Sequence, residues 1–90
     1  MPSIDRNIDL KDAAEEELER ATSLTWREMA QFAPWGDTFE GFTPAGRTAC
    51  FERNYLWRCD PGGEILIEVV VYQPEAHENG VRLTRTVQPL

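Results

Sequence analysis

Arg53 and Arg85 each interrupt an apolar alternation. One sits among Ala49, Phe51, Tyr55 and Trp57, the other among Val81, Leu83 and Val87. A guanidinium on an apolar face needs a partner. It can find a carboxylate of its own chain, with Glu15, Glu19 and Glu28 as candidates, or reach the rim of the sheet along its aliphatic stem. Alternatively, the two arginines form an anion-binding pair for a carboxylate or phosphate ligand, since a planar fork binds such groups bidentately. Lys11 is the only lysine, so arginine supplies nearly all the positive charge.

The second cluster with chemical potential is acidic: Glu15, Glu16, Glu17 and Glu19. The net charge is −7 and the pI about 4.6, which disfavours direct contact with a phosphate backbone. Acidity of this kind serves solubility, or it lets a protein occupy the nucleic-acid groove of another protein as an inhibitor.

Other chemistry is thin. His77 lies in a polar stretch with acidic neighbours, and no nucleophile stands near it in sequence. Glu75, His77 and Glu78 amount at most to a weak surface metal site, and no C-x-x-C or H-x-x-x-H spacing occurs. There is no G-x-G-x-x-G and no P-loop. Neither a metal nor a cofactor is expected. Cys50 and Cys59 stand nine residues apart on one strand, too far to bridge at ~3.3 Å per residue. Free thiols predict a reduced, cytoplasmic protein. Met1 to Leu10 carries three charges and no apolar run, so no leader is expected, and no stretch has the ~20 apolar residues of a membrane span.

The elements that would position these groups can be read from periodicity. Ninety residues make one domain, 1–90. Residues 1–8 lack a pattern and read as a flexible arm. Asp9 can cap a helix from Leu10. Ala14, Leu18, Ala21, Thr25, Met29 and Phe32 then recur at helical spacing, giving an amphipathic segment over 9–33 with Glu15, Glu16 and Glu19 on its solvated side. Thr25 and Glu28 form a capping box within it, with Leu24 and Met29 at the staple positions. The continuous stripe favours one helix. The capping box allows a kink or a split near residues 22–24.

Pro34 and Gly36 end the helix. Residues 34–46 read as a loop carrying Trp35, Phe39 and Phe42, either folded over one end of a sheet or shown to a partner. Three strands follow, at 47–59, 64–73 and 81–88. The first turn is Asp60 to Gly63, with Gly62 left-handed, and a polar loop covers 74–80. The expected fold is therefore α+β: an N-terminal helix on one face of a three-stranded antiparallel meander, order 1-2-3.

Side-chain alternation puts the odd positions on the helix face. In this register Arg53 lies opposite Val69. Pairing Val71 with Leu83 brings Arg85 to the other side of Val69. The even face is mixed, and Leu56, Leu66, Val70 and Tyr72 are its candidate partner-binding residues. The first and third strands are edges open to a further chain. The functional expectation is a non-enzymatic protein-interaction module, with a second copy of itself among the candidate partners, using the outer sheet face or an edge strand. The two alternatives are the acidic inhibitor and a small-anion binder built on Arg53 and Arg85.

Overall fold

The computed structural model describes residues 6–89. Helix α1 runs over Arg6–Ala21 and a short α2 over Trp26–Ala30. Four strands follow: β1 Trp35–Phe42, β2 Thr48–Trp57, β3 Ile65–Gln73 and β4 Ala76–Val87. They form one antiparallel sheet in the order β1-β2-β3-β4. The α+β class and the N-terminal helix hold; the sheet has four strands rather than three.

The extra strand is the segment read as an aromatic loop. Its two glycines look like loop residues, yet each marks a close approach inside a strand. A Cβ on Gly36 would stand 2.0 Å from Asn54 Oδ1, and one on Gly41 would stand 3.0 Å from the Phe51 ring. Trp35, Asp37 and Phe39 therefore alternate with Gly36, Thr38 and Glu40 as strand residues, paired to Tyr55, Arg53 and Phe51 and to Asn54, Glu52 and Cys50. The β1–β2 turn closes with Thr43 N–H donating to Arg47 O at 2.8 Å, and Gly46 takes φ +84°.

The helical segment is split. Thr22 and Ser23 hydroxyls take the carbonyls of Leu18 and Arg20 at 2.9 and 2.7 Å, which ends α1. Thr25 then caps α2: its hydroxyl accepts from Glu28 N–H at 3.1 Å, and Glu28 accepts from Thr25 N–H at 2.9 Å. The capping box thus outweighs the continuous stripe. Met29, on the one turn that follows, is fully buried. Trp26 fixes α2 to the β2–β3 turn by donating from Nε1 to Gly63 O at 2.8 Å.

At the other end of α1, residues 6–8 are helical rather than part of an arm; the rest of that arm, 1–5, lies outside the described residues. Asp9 does not cap the helix but sits inside it. Its buried carboxylate accepts from the Thr43 hydroxyl at 2.5 Å and from Ala45 N–H at 3.1 Å, with Arg47 3.9 Å away. That contact joins α1 to the β1–β2 turn.

The β2–β3 register is the expected one, with Arg53 opposite Val69 and Leu56 opposite Leu66. The β3–β4 register is displaced. Val71 faces Val81, Val69 faces Leu83, and Arg85 faces Ile67, two residues from the expected position. The cause is the turn. Most of the stretch read as a 74–80 loop belongs to β4, leaving a tight Pro74-Glu75 turn next to a bulge between Val71 and Gln73. Parity survives, so the odd face is still the core face. Ile65, Ile67, Val69, Val71 and Met29 are fully buried there, with Phe51 and Tyr55 nearly so. No helix among the described residues is long and apolar enough to cross a membrane.

Candidate interaction surface

A helix with its side chains is ~10 Å wide and strands lie ~4.8 Å apart, so one helix roofs about two strands. Helix α1 packs on β3 and β4, and α2 is too short to extend the roof beyond β3. The inner face of β1 therefore has no helical layer, while α1 reaches β2 through Glu17 to Arg53 and Ala21 to Tyr55. Large rings occupy that uncovered strip. Trp35 is 42% exposed and Phe39 36%, while Phe42, on the opposite face of β1, is 73% exposed.

The rings are organised. Phe32 meets Tyr55 edge-on at 4.9 Å and Trp35 at 5.7 Å, and Phe39 lies flat on Phe51 at 5.3 Å. Leu24, Phe32, Trp35, Arg53 and Tyr55 line a cleft of about 380 Å³. The Tyr55 hydroxyl donates to Ala21 O at 3.0 Å. Burial raises the Tyr55 pKa above its ordinary 10; nearby Arg53 opposes that rise, while Glu17 and Asp37 add to it.

Arg53 crosses this strip with its Cζ 5.7 Å from the Trp35 ring centre and 5.9 Å from that of Phe39. Nη1 lies 3.3 Å from Glu17 Oε2, and Nη2 lies 3.5 Å from Asp37 Oδ2. Its Nε and the Asp37 Oδ1 are buried without a partner. Arg85 is exposed and donates to the Thr22 hydroxyl at 3.1 Å. The two guanidiniums thus sit on different rungs of the sheet with different partners, and Arg53 already faces two carboxylates. Glu17, not the Glu15, Glu19 or Glu28 considered from sequence, supplies one of them. Glu17 is buried and also holds Arg20 at 2.8 Å, so the exposed acidic row is Glu15, Glu16 and Glu19.

The outer face carries Leu56, Leu66, Val70 and Tyr72, all half-buried. Leu56 and Leu66 adjoin, and Tyr72 packs edge-on against His77 at 4.2 Å. A polar bridge divides the two groups: Asn54 donates to Glu68 Oε1 at 3.0 Å, and Arg82 Nε donates to the other oxygen. These four residues form two small apolar patches rather than one surface. Among the described residues, no group of His, Cys, Asp and Glu is placed to hold a metal ion, and Cys50 and Cys59 are free thiols.

No family model, curated protein or solved structure matches this chain. The site stands on its geometry alone.

The free edge of β1 completes that geometry. An antiparallel ladder alternates residues whose backbone groups face one neighbour with residues that face the other. The Thr43 to Arg47 bond puts the odd positions of β1 toward β2. Gly36, Thr38, Glu40 and Phe42 therefore direct their N–H and C=O groups away from the sheet. Sequence reasoning missed this edge because Gly36 and Gly41 read as loop. The available signal was the alternation of Trp35 and Phe39 with Thr38 and Glu40.

Proposed function

We propose that this protein is a non-enzymatic interaction module that takes a partner polypeptide along β1, by backbone pairing at the open edge and by ring contacts from Trp35, Phe39 and Phe42. The observation that carries this reading is that the helices leave β1 uncovered, so that aromatic surface stands open beside an unpaired strand edge. Edge pairing supplies affinity through the main chain, and the flanking rings supply selectivity. The outer patches at Leu56, Leu66, Val70 and Tyr72 are smaller and interrupted by charge, so they rank second as a surface.

Affinity capture from the native host tests the reading, with the unaltered chain compared against Glu40→Pro. Residue 40 points its N–H outward, so the proline removes an edge donor and leaves the β1–β2 bonds in place. A partner captured by the unaltered chain and lost with Glu40→Pro is the expected result. Partners that bind both chains equally would place the interaction elsewhere on the molecule.

A further inference from the structure

We infer that the partner taken by β1 is a second copy of this chain, paired antiparallel to itself about a two-fold axis at Phe39. The inference rests on the interaction-module reading and names its occupant. Its basis is a symmetry in the edge. Outward-facing positions on and beside β1 continue the even series, and the prolines at Pro34 and Pro44 have no N–H to offer. Both lie five residues from Phe39, so the run of usable groups is bounded equally on each side. Reversing the strand about Phe39 maps Gly36 onto Phe42 and Thr38 onto Glu40. Every outward N–H and C=O between the prolines then meets a counterpart.

The side chains agree with this register and disagree with its neighbours. Phe39 meets the partner's Phe39 at a non-hydrogen-bonded position, where side chains come closest. Phe42 lies beside the partner's Gly36, which has no side chain to oppose it, so the ring meets the partner's Asn54 amide, which fills the place of a Cβ there. Asp37 faces the partner's Gly41, and Glu40 faces the partner's Thr38, so no carboxylate stands opposite another. A shift by one residue would set Asp37 against the partner's Glu40 and put inward-facing backbone groups at the edge. A shift by two in either direction would bring Pro34 or Pro44 into the ladder.

Area is consistent with a modest dimer. At their observed exposures the three rings offer on the order of 300 Å² per copy, and the strand edge adds about as much again. The total of about 1,200 Å² lies at the low end of specific interfaces, so association is micromolar or weaker. The joined sheet would carry both α1 helices on one face, with Trp35, Phe39 and Arg53 of each copy on the floor between them.

Sedimentation equilibrium up to about 1 mM tests this directly. The expected result is a concentration-dependent dimer for the unaltered chain and a monomer for Glu40→Pro, with unchanged far-ultraviolet dichroism. A second variant does not depend on that proline folding. Phe39→Cys, in a chain with Cys50 and Cys59 replaced by serine, should form an intermolecular disulfide under mild oxidation. The Cα separation at such a pair, ~4.5 Å, lies within disulfide reach. Thr38→Cys in the same background should cross-link several-fold more slowly. A monomer at every concentration overturns the inference, as does a dimer that ignores Glu40→Pro while Phe39→Cys and Thr38→Cys cross-link alike. If the chain is a monomer but loses a different captured partner on Glu40→Pro, self-pairing fails and the interaction-module reading stands. If neither effect appears, both fail.

Discussion

On the inner face of the sheet, Ile65, Ile67, Val69 and Val71 of β3 are wholly removed from solvent. Two strands away on the same face, Trp35 and Phe39 of β1 keep more than a third of their surface. The side chains on β1 are the larger ones, so hydrophobicity does not explain the difference. Coverage does: α1 lies over β3 and β4 and reaches β2, whereas among the described residues β1 meets only the Phe32 ring beyond α2. The inner faces of β2 and β3 are core, and the inner face of β1 is a surface built from core-type residues. On the proposed reading, stability and recognition fall to different strands, so that one can be altered with little effect on the other.

The strongest way to break that division is to cut one residue from each side of it. Ile67→Ala should cost about 3–4 kcal/mol of unfolding free energy, because a fully buried side chain leaves a cavity. Phe39→Ala should cost about 1 kcal/mol or less in the monomer, since its ring is already partly wet. Urea denaturation at low protein concentration measures both; equal losses would mean that β1 belongs to the core after all. Asp9→Ala probes the link between the two sides. With the Thr43 hydroxyl and the Ala45 N–H deprived of their acceptor, we expect a loss of about 2 kcal/mol. Amide exchange should accelerate in β1 more than in β3.

Smaller effects sharpen the boundary. Arg53→Ala should destabilise by about 1–2 kcal/mol, because Glu17 stays buried with only Arg20 to pair it. A stability-neutral result together with lost phosphate binding would instead favour the small-anion alternative. The least effect is expected at α2. The Glu28 carboxyl is held below its ordinary pKa of 4.5 by the hydrogen bond from the Thr25 backbone, then by the Thr25 side chain. A lowered pKa stabilises the fold above 4.5, and that contribution fades as the pH falls through the folded-state value. Thermal unfolding between neutral and acid pH should show a shallower acid loss for Glu28→Gln than for the unaltered chain.

Much of this division was legible in the residues, and the rest was hidden for physical reasons. Alternation placed Phe51, Tyr55, Trp57, Ile65, Ile67, Val69 and Leu83 on the core face, because packed strands must keep parity; five of them are buried, and Trp57 and Leu83 are half-buried at its margin. The capping box at Thr25 and Glu28 marked the helix break, although the apolar stripe argued against it. Gly36, Gly41 and Gly80 misled in a common way. Each permits close approach within a strand, and a glycine chosen for clearance looks the same in sequence as one chosen for a turn. Missing β1 hid the free edge and the uncovered rings. Arg53 was correctly marked as needing a partner, but the partners came from positions 17 and 37, one within the acidic row and one within the unrecognised strand.

The contact between Asp9 and the Thr43–Arg47 turn has a consequence for recognition. A two-stranded projection attached only through β2 would sample many twists, and a partner would have to select one of them. Anchored at its far turn to α1, the β1 edge is pre-organised before any encounter. A strand docking as proposed would meet a fixed template, with the ordering entropy that weakens most edge pairings already met by folding.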